Sequence, residues 1–142
     1  MEIIPKIHSY WAYLVVLLGI SLTVVSIIYF ITKKPIDNIL RKLALFTLIS
    51  FHIQLLIGIA TYFTSPILES FSNLSTAEIM KNDLARLIKI EHPMMMIAGI
   101  IFITIANAKI KKSEVVSVGI VAIISLGILT ILSRIPYNLW CN

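Results

Sequence analysis

Four apolar runs, each set off from the next by a charged or polar stretch, restrict this chain more than any other feature. Residues 11–31 carry no charge over 21 positions, and residues 43–63 are interrupted only by His52 and Gln54 among strongly polar groups. Residues 115–133 supply 19 more. A bilayer core of ~30 Å needs about 20 mainly apolar helical residues. The run 93–108 has only 16. It must borrow residues upstream, which puts Arg86, Lys89 and Glu91 at an interface or against the bundle. The expected spans are 11–31, 43–63, 88–108 and 115–133, with an outer-side loop at 64–87. Uninterrupted apolar runs lack the period-two alternation of a membrane barrel. The expected fold is therefore all-α: one membrane domain over residues 1–142, an antiparallel four-transmembrane-helix bundle.

Composition agrees with that class. Charged residues make up 13% of the chain, about half the roughly 25% usual in soluble domains. A net charge of +5 does not point to nucleic acid, because the basic residues sit in short loops between apolar runs. Lys33, Lys34, Arg41, Lys42, Lys109, Lys111 and Lys112 fall on one side, with Asp37 and Glu114 the only acids nearby. The other side holds a mixed set that includes Glu2, Lys6, Glu69, Glu78 and Arg134. The positive-inside rule then places both termini and the long second loop outside the cytoplasm. Tyr10, Trp11, Tyr13, Tyr62, Phe63, Tyr137 and Trp140 form an aromatic belt on that same side. The first run is longer than a signal-peptide core and no small-x-small site follows it, so it is read as a helix. The only cysteine, Cys141, excludes an intrachain disulfide and leaves no basis for a zinc or iron–sulfur site. No phosphate loop, dinucleotide fingerprint or zinc-protease motif is present.

Between the second and third runs, Thr64-Ser65-Pro66 breaks a helix and Ser75-Thr76-Ala77-Glu78 has the form of a capping box. The helix it opens either lies on the membrane surface or extends into the third span. In the second case Pro93 kinks the helix and frees the carbonyl of Lys89. Small and polar residues form stripes: His8, Ala12, Val15, Gly19, Thr23 and Ser26 on the first helix, and Thr47, Ser50, Gln54, Gly58 and Thr61 on the second. His92, Met96, Gly99, Ile103 and Ala106 follow on the third, and Ser117, Ser125, Gly127 and Thr130 on the fourth. Such stripes are packing seams between membrane helices. His52 points roughly away from the stripe on its own helix.

The histidines carry the chemistry. An imidazole in hydrocarbon is costly, and is retained for a ligand, a proton or a partner helix. His52 is mid-span with no acid in its own helix, and the plain alternative for it is an interhelical hydrogen bond. His92 opens the third run, where a capping or snorkelling role is the alternative. His8, three residues before Trp11, reads as interfacial on the same side as His92. Two neutral imidazoles facing one cavity are what a b-type haem iron needs. Counted from the ends at Lys42 and Ala108, His52 lies about 15 Å deep and His92 about 24 Å at ~1.5 Å per residue. That mismatch leaves two ligand sets open, His52 with His92 and His8 with His92. Gly99, one to two turns beyond His92, would leave room for a flat macrocycle. Met94, Met95 and Met96 cannot all face one metal, since consecutive helical residues point about 100° apart, and are read as packing. Glu91 is expected to pair with Lys89 or Arg86.

At these histidine segments the chain resembles the small bacterial four-helix membrane proteins described as cytochrome-b-like. The resemblance covers nearly the whole length. It rests on His8-Ser9 before Trp11, on Phe51-His52-Ile53-Gln54-Leu55-Leu56-Ile57-Gly58 with Tyr62-Phe63 and Ser65-Pro66, and on Glu91-His92 with Met95-Met96. Thr104-Ile105, Lys111-Lys112 and Ile135-Pro136 add to it. More distantly, His92-Pro93-x-Met95-x-x-Ala98-Gly99 is similar to a haem-helix motif of the cytochrome b-561 group. Those proteins use four histidines for two haems. Three histidines here imply at most one haem b.

The resulting expectation is an electron carrier of the bacterial inner membrane, exchanging electrons with a quinone or membrane redox partner. His52 and His92 are its expected axial metal ligands, with His8 as alternate ligand and Gly99 and Met96 beside the cofactor. A different class is a haem-free accessory or assembly subunit packed into a larger complex, as part of a homo- or hetero-oligomer. A third is a small carrier that uses His52 and Gln54.

Overall fold

A computed structural model describes residues 3–140; Glu2 and Cys141 lie outside them. The chain is helical, and no strand occurs among the described residues. Four long helices are α1 (Ile3–Thr32), α2 (Asn38–Thr64), α6 (His92–Lys112) and α7 (Val118–Leu132). Short helices α3 (Pro66–Glu69), α4 (Thr76–Lys81), α5 (Asp83–Arg86) and α8 (Tyr137–Trp140) occupy the connections and the C-terminal segment. A π-helical turn, Leu87–Glu91, joins α5 to α6, so that Asp83–Lys112 runs as one apolar helix. With α1 and α2 it makes three helices long and apolar enough to cross a membrane. The fourth, α7, is apolar but only 15 residues long. Residues 115–117 were expected within that helix. Instead Val115 pairs with Pro35 in an isolated β-bridge, and the Ser117 hydroxyl caps the helix by accepting from Ile120 N.

The four long helices form a closed ring in which α1 packs on α2, α2 on α6, α6 on α7 and α7 on α1. Each neighbour runs antiparallel. Trp11 meets Ser50 and Thr47 meets Leu18, whereas Tyr62 meets Lys89 and Arg41 meets Ile110. Close approach of α6 and α7 depends on glycine. A Cβ on Gly99 would fall inside the envelope of Ile131 and lie 3.0 Å from the Gly127 carbonyl oxygen.

At the lysine end of the ring the loops are tightly determined. Lys34 N bonds Tyr29 O at 3.1 Å and Lys33 N bonds Phe30 O at 3.4 Å, which ends α1 in a Schellman motif with Lys33 left-handed at φ 52°. Asp37 caps α2 by accepting from Ile39 N and Leu40 N. Its carboxylate also accepts from Tyr29 Oη and pairs with Lys34 Nζ at 3.1 Å. The Leu40 amide, then Lys34 and Tyr29, hold the Asp37 carboxyl down at about 2. Arg41 donates to the carbonyls of Ile110, Lys111 and Ser113, closing the C-terminus of α6. Ile36 N to Glu114 O at 2.7 Å joins the two loops.

The core lies in this half and in the middle of the ring. Leu22, Leu40, Ile103, Ile110, Ile120 and Ile124 are its largest fully buried hydrophobic residues. Thr47 and Ser26 are buried with them, as the stripes on α1 and α2 predicted. On α7 the buried face is Ile120, Ile124, Gly127, Ile128 and Ile131, so Gly127 alone of the expected stripe there is buried. Isoleucine shape, not small polar side chains, seats that helix.

At the other end Ser65-Pro66 stops α2, and the Ser75–Glu78 capping box forms as expected, with Glu78 N bonding Ser75 Oγ and Ser75 N bonding Glu78. Asn82 ends α4 and caps α5 through Ala85 N. The helix opened by the capping box ends at Lys81, and a second short helix, α5, continues through the π turn into α6.

Candidate functional site

Where the core stops, the histidine end of the ring opens into a cavity of about 880 Å³ between α1, α2, the start of α6 and the C-terminal segment. Ligand pockets run from about 300 to 1,000 Å³. The lining is mainly apolar; its polar groups include His8, Gln54, Tyr62, Lys89 and His92, with Gly58 and Met96 beside them.

His8 is carried on the first turns of α1. Its backbone carbonyl accepts from Gln54 Nε2 at 3.0 Å, and one turn later Trp11 Nε1 donates to Ser50 O at 3.1 Å. Those two bonds fix α1 against α2. Gly58, one turn beyond Gln54, lets the imidazole lie on α2, since a Cβ there would stand 3.2 Å from His8 Cε1. His8 Nδ1 is buried without a hydrogen-bond partner, and so is Gln54 Oε1. Buried polar atoms are nearly always satisfied. Both of these unpartnered atoms belong to residues that line the cavity, whereas the third such buried atom, Ser26 Oγ, lies in the core.

His92 follows the π turn. Single-turn π segments recur at functional sites, and Pro93 explains why this stretch departs from α geometry. Having no N–H, Pro93 cannot bond the Lys89 carbonyl, which instead accepts from Tyr62 Oη at 3.3 Å. His92 Nδ1 lies 2.9 Å from the Arg134 carbonyl oxygen. A carbonyl only accepts, so Nδ1 carries the proton and the Nε2 lone pair is free. Donation from the far nitrogen to a backbone carbonyl is the arrangement found behind metal-bound imidazoles.

The rings of His8 and His92 stand 6.1 Å apart, centre to centre, with planes at 87°. With metal–nitrogen bonds of roughly 2 Å, two imidazoles on opposite sides of one ion have ring centres roughly 6 Å apart. The pair that the structure brings together is thus His8 with His92. His52 stands elsewhere: it is exposed, outside the cavity lining, and its Nδ1 donates to Leu48 O one turn back at 2.8 Å. Ser50 and Phe51 take the buried face of α2, which turns the next residue outward. Gly99 is also displaced from its expected role, because Ile131 and the backbone of Gly127 fill the space beside it. Met96 and Met94 both line the cavity, Met94 with most of its side chain exposed. Among the described residues no group of three or more His, Cys, Asp or Glu is placed to hold a metal ion.

The C-terminal segment closes one side of the site. Trp140 Nε1 donates to Ser9 O at 2.9 Å and its ring stacks on Tyr13 at 4.6 Å. Glu91 accepts from Arg86 Nε at 3.0 Å, as sequence suggested, and also pairs with Arg134 Nε at 3.1 Å. Gly58 is legible in sequence through its i, i+4 spacing from Gln54. The Arg134 carbonyl is not, being a backbone atom 42 residues from His92.

The chain has no significant match to any family model, curated protein or solved structure.

Proposed function

We propose that this chain is an integral membrane haem b protein, whose iron His8 and His92 would hold, and that it carries electrons within the bacterial inner membrane. One observation supports this above the others: two imidazoles from different helices meet edge to face, 6.1 Å between ring centres, on the wall of one mainly apolar cavity, one with an orphaned buried nitrogen and the other donating to a carbonyl. When bound, haem iron supplies one-electron exchange with a lipid-soluble quinone or a membrane redox partner. The residues of the chain position and insulate it. The Arg134 carbonyl orients His92, the Gln54–His8 bond anchors the opposite helix, and Met96 with its apolar neighbours excludes water, which sets the potential.

In this reading all four long helices cross the bilayer. The 15 residues of α7 rise roughly 22 Å. Bridge-paired Val115 through Ser117 adds about 10 Å more at ~3.3 Å per residue. The lysine end faces the cytoplasm and the cavity opens near the other surface. The resemblance to cytochrome-b-like proteins points the same way.

A second reading draws on His52. An ionisable ring at the middle of α2, exposed on an apolar face, favours a neighbouring protein helix over lipid. It fits an accessory subunit of a larger complex, with or without haem.

An absorption spectrum of the detergent-purified protein, before and after dithionite, tests the first reading when combined with a pyridine haemochrome assay. We expect about one haem per chain with sharp reduced α and β bands. Replacing His8 or His92 by Ala should abolish the six-coordinate spectrum, and His52→Ala should preserve it. A colourless protein that takes up no added haemin would sink the haem reading.

A further inference from the structure

Both carboxylate oxygens of Glu91, the residue just before His92, are engaged by arginines from different parts of the chain. Oε1 accepts from Arg86 Nε at 3.0 Å and Oε2 pairs with Arg134 Nε at 3.1 Å. Arg86 is itself tied down, donating through Nη1 to Met80 O at 2.7 Å and through Nη2 to Asp83 at 2.8 Å. Arg134 ends this chain of contacts, and its carbonyl is the acceptor for His92 Nδ1. Glu91 and Arg134 keep 30% and 46% of their side-chain exposure, and ion pairs that open to solvent add little stability. What this cluster does supply is geometry. It ties the segment following α7 to the π turn, so that a backbone carbonyl from one meets an imidazole from the other.

We propose that Glu91 is a positioning residue: by holding Arg134 it keeps the Arg134 carbonyl on His92 Nδ1 and so fixes His92 as the Nδ1–H tautomer, with Nε2 turned over to a ligand. The ligand being an iron porphyrin rests on the haem reading above; the tautomer does not. The competing explanation is that the last turn of α7 suffices, since Arg134 N also bonds Ile131 O at 3.3 Å.

The test reads the tautomer directly. Nitrogen-15 NMR of histidine-labelled full-length protein in detergent micelles, at pH 8 and without added haemin, should show His92 as a single Nδ1–H form. Glu91→Gln keeps the size of the side chain and removes its charge, and Arg134→Ala cuts the same contact from the other end. In both variants the single-tautomer pattern should be lost to a mixture, while the helical circular dichroism remains. Haemin titration of the same samples should show affinity falling about tenfold or more, the usual cost of losing such a partner. A His92 that stays Nδ1–H in both variants would overturn the proposal, as would a wild-type His92 in the Nε2–H form. Should the tautomer respond while no sample binds haemin, the positioning role stands and the haem reading falls.

Discussion

Lys33 adopts the only left-handed backbone among the described non-glycine residues, at φ 52°. For an L-residue with a Cβ this conformation costs roughly 1–2 kcal/mol. The Schellman bonds of Lys33 and Lys34 to the last turn of α1 require it, because they reverse the chain into Pro35 and the cap of α2. Glycine meets the same geometry without the steric cost, although it loses more freedom on folding. Lys33→Gly should therefore stabilise the protein by about 1 kcal/mol at most, read as a higher midpoint of thermal unfolding in detergent. A lower midpoint would mean that the lysine side chain makes a contribution larger than the strain it tolerates. At this same scale the histidines show what depth alone omits. His52 drew attention for lying mid-span, yet depth in a bilayer is not burial in a protein. The rotational phase of α2, in which Thr47, Ser50 and Phe51 face inward, puts its ring outside. That phase was readable from the stripe of small residues.

Among the elements, the joint between α1 and α2 depends most visibly on charge. The Asp37 carboxylate is at once a helix cap, the acceptor for Tyr29 and the partner of Lys34. Its folded value of about 2 lies below the roughly 3.9 of a free aspartate. A depressed carboxyl gives stability that is fully present above the unfolded value and is lost as pH falls through the folded one. Unfolding midpoints should thus hold steady from neutral pH to about 4.5 and drop between about 4 and 2. Asparagine still caps a helix but cannot pair with lysine. Asp37→Asn should accordingly start less stable at pH 7 and lose less on acidification. Parallel curves for the two proteins would mean that other carboxylates govern the acid transition. The joint itself was not read from sequence: the second span was expected from residue 43, whereas the Asp37 cap starts α2 at Asn38. The site-forming elements were legible only in part. The π turn comes from Pro93 together with a tyrosine on another helix, and the strap after α7 works through carbonyls, which sequence does not display.

For the whole molecule, the order of helices and their antiparallel sense follow from four apolar runs joined by connections, and the ring of contacts has that order. What sequence could not weigh was where the ring closes. Isoleucine packing fills the lysine end and the middle, while at the other end the helices part around a cavity whose lining includes His8, Gln54 and Gly58 among larger apolar residues. In the proposed orientation the ring stands across the bilayer with the lysine loops inside, as the basic residues favour. Cysteine labelling tests it with little alteration, since Cys141 is the only native thiol. In intact bacterial cells, a membrane-impermeant maleimide should label the wild-type chain at Cys141. With Cys141 replaced by Ser and Ser113 by Cys, at the end of α6 beside the basic loops, labelling should require permeabilised cells. Four crossings demand that opposite pattern from the two positions. Labelling of both thiols from outside would leave α7 on one side of the membrane, reduce the spans to three, and separate the Arg134 carbonyl from any role fixed by a transmembrane frame.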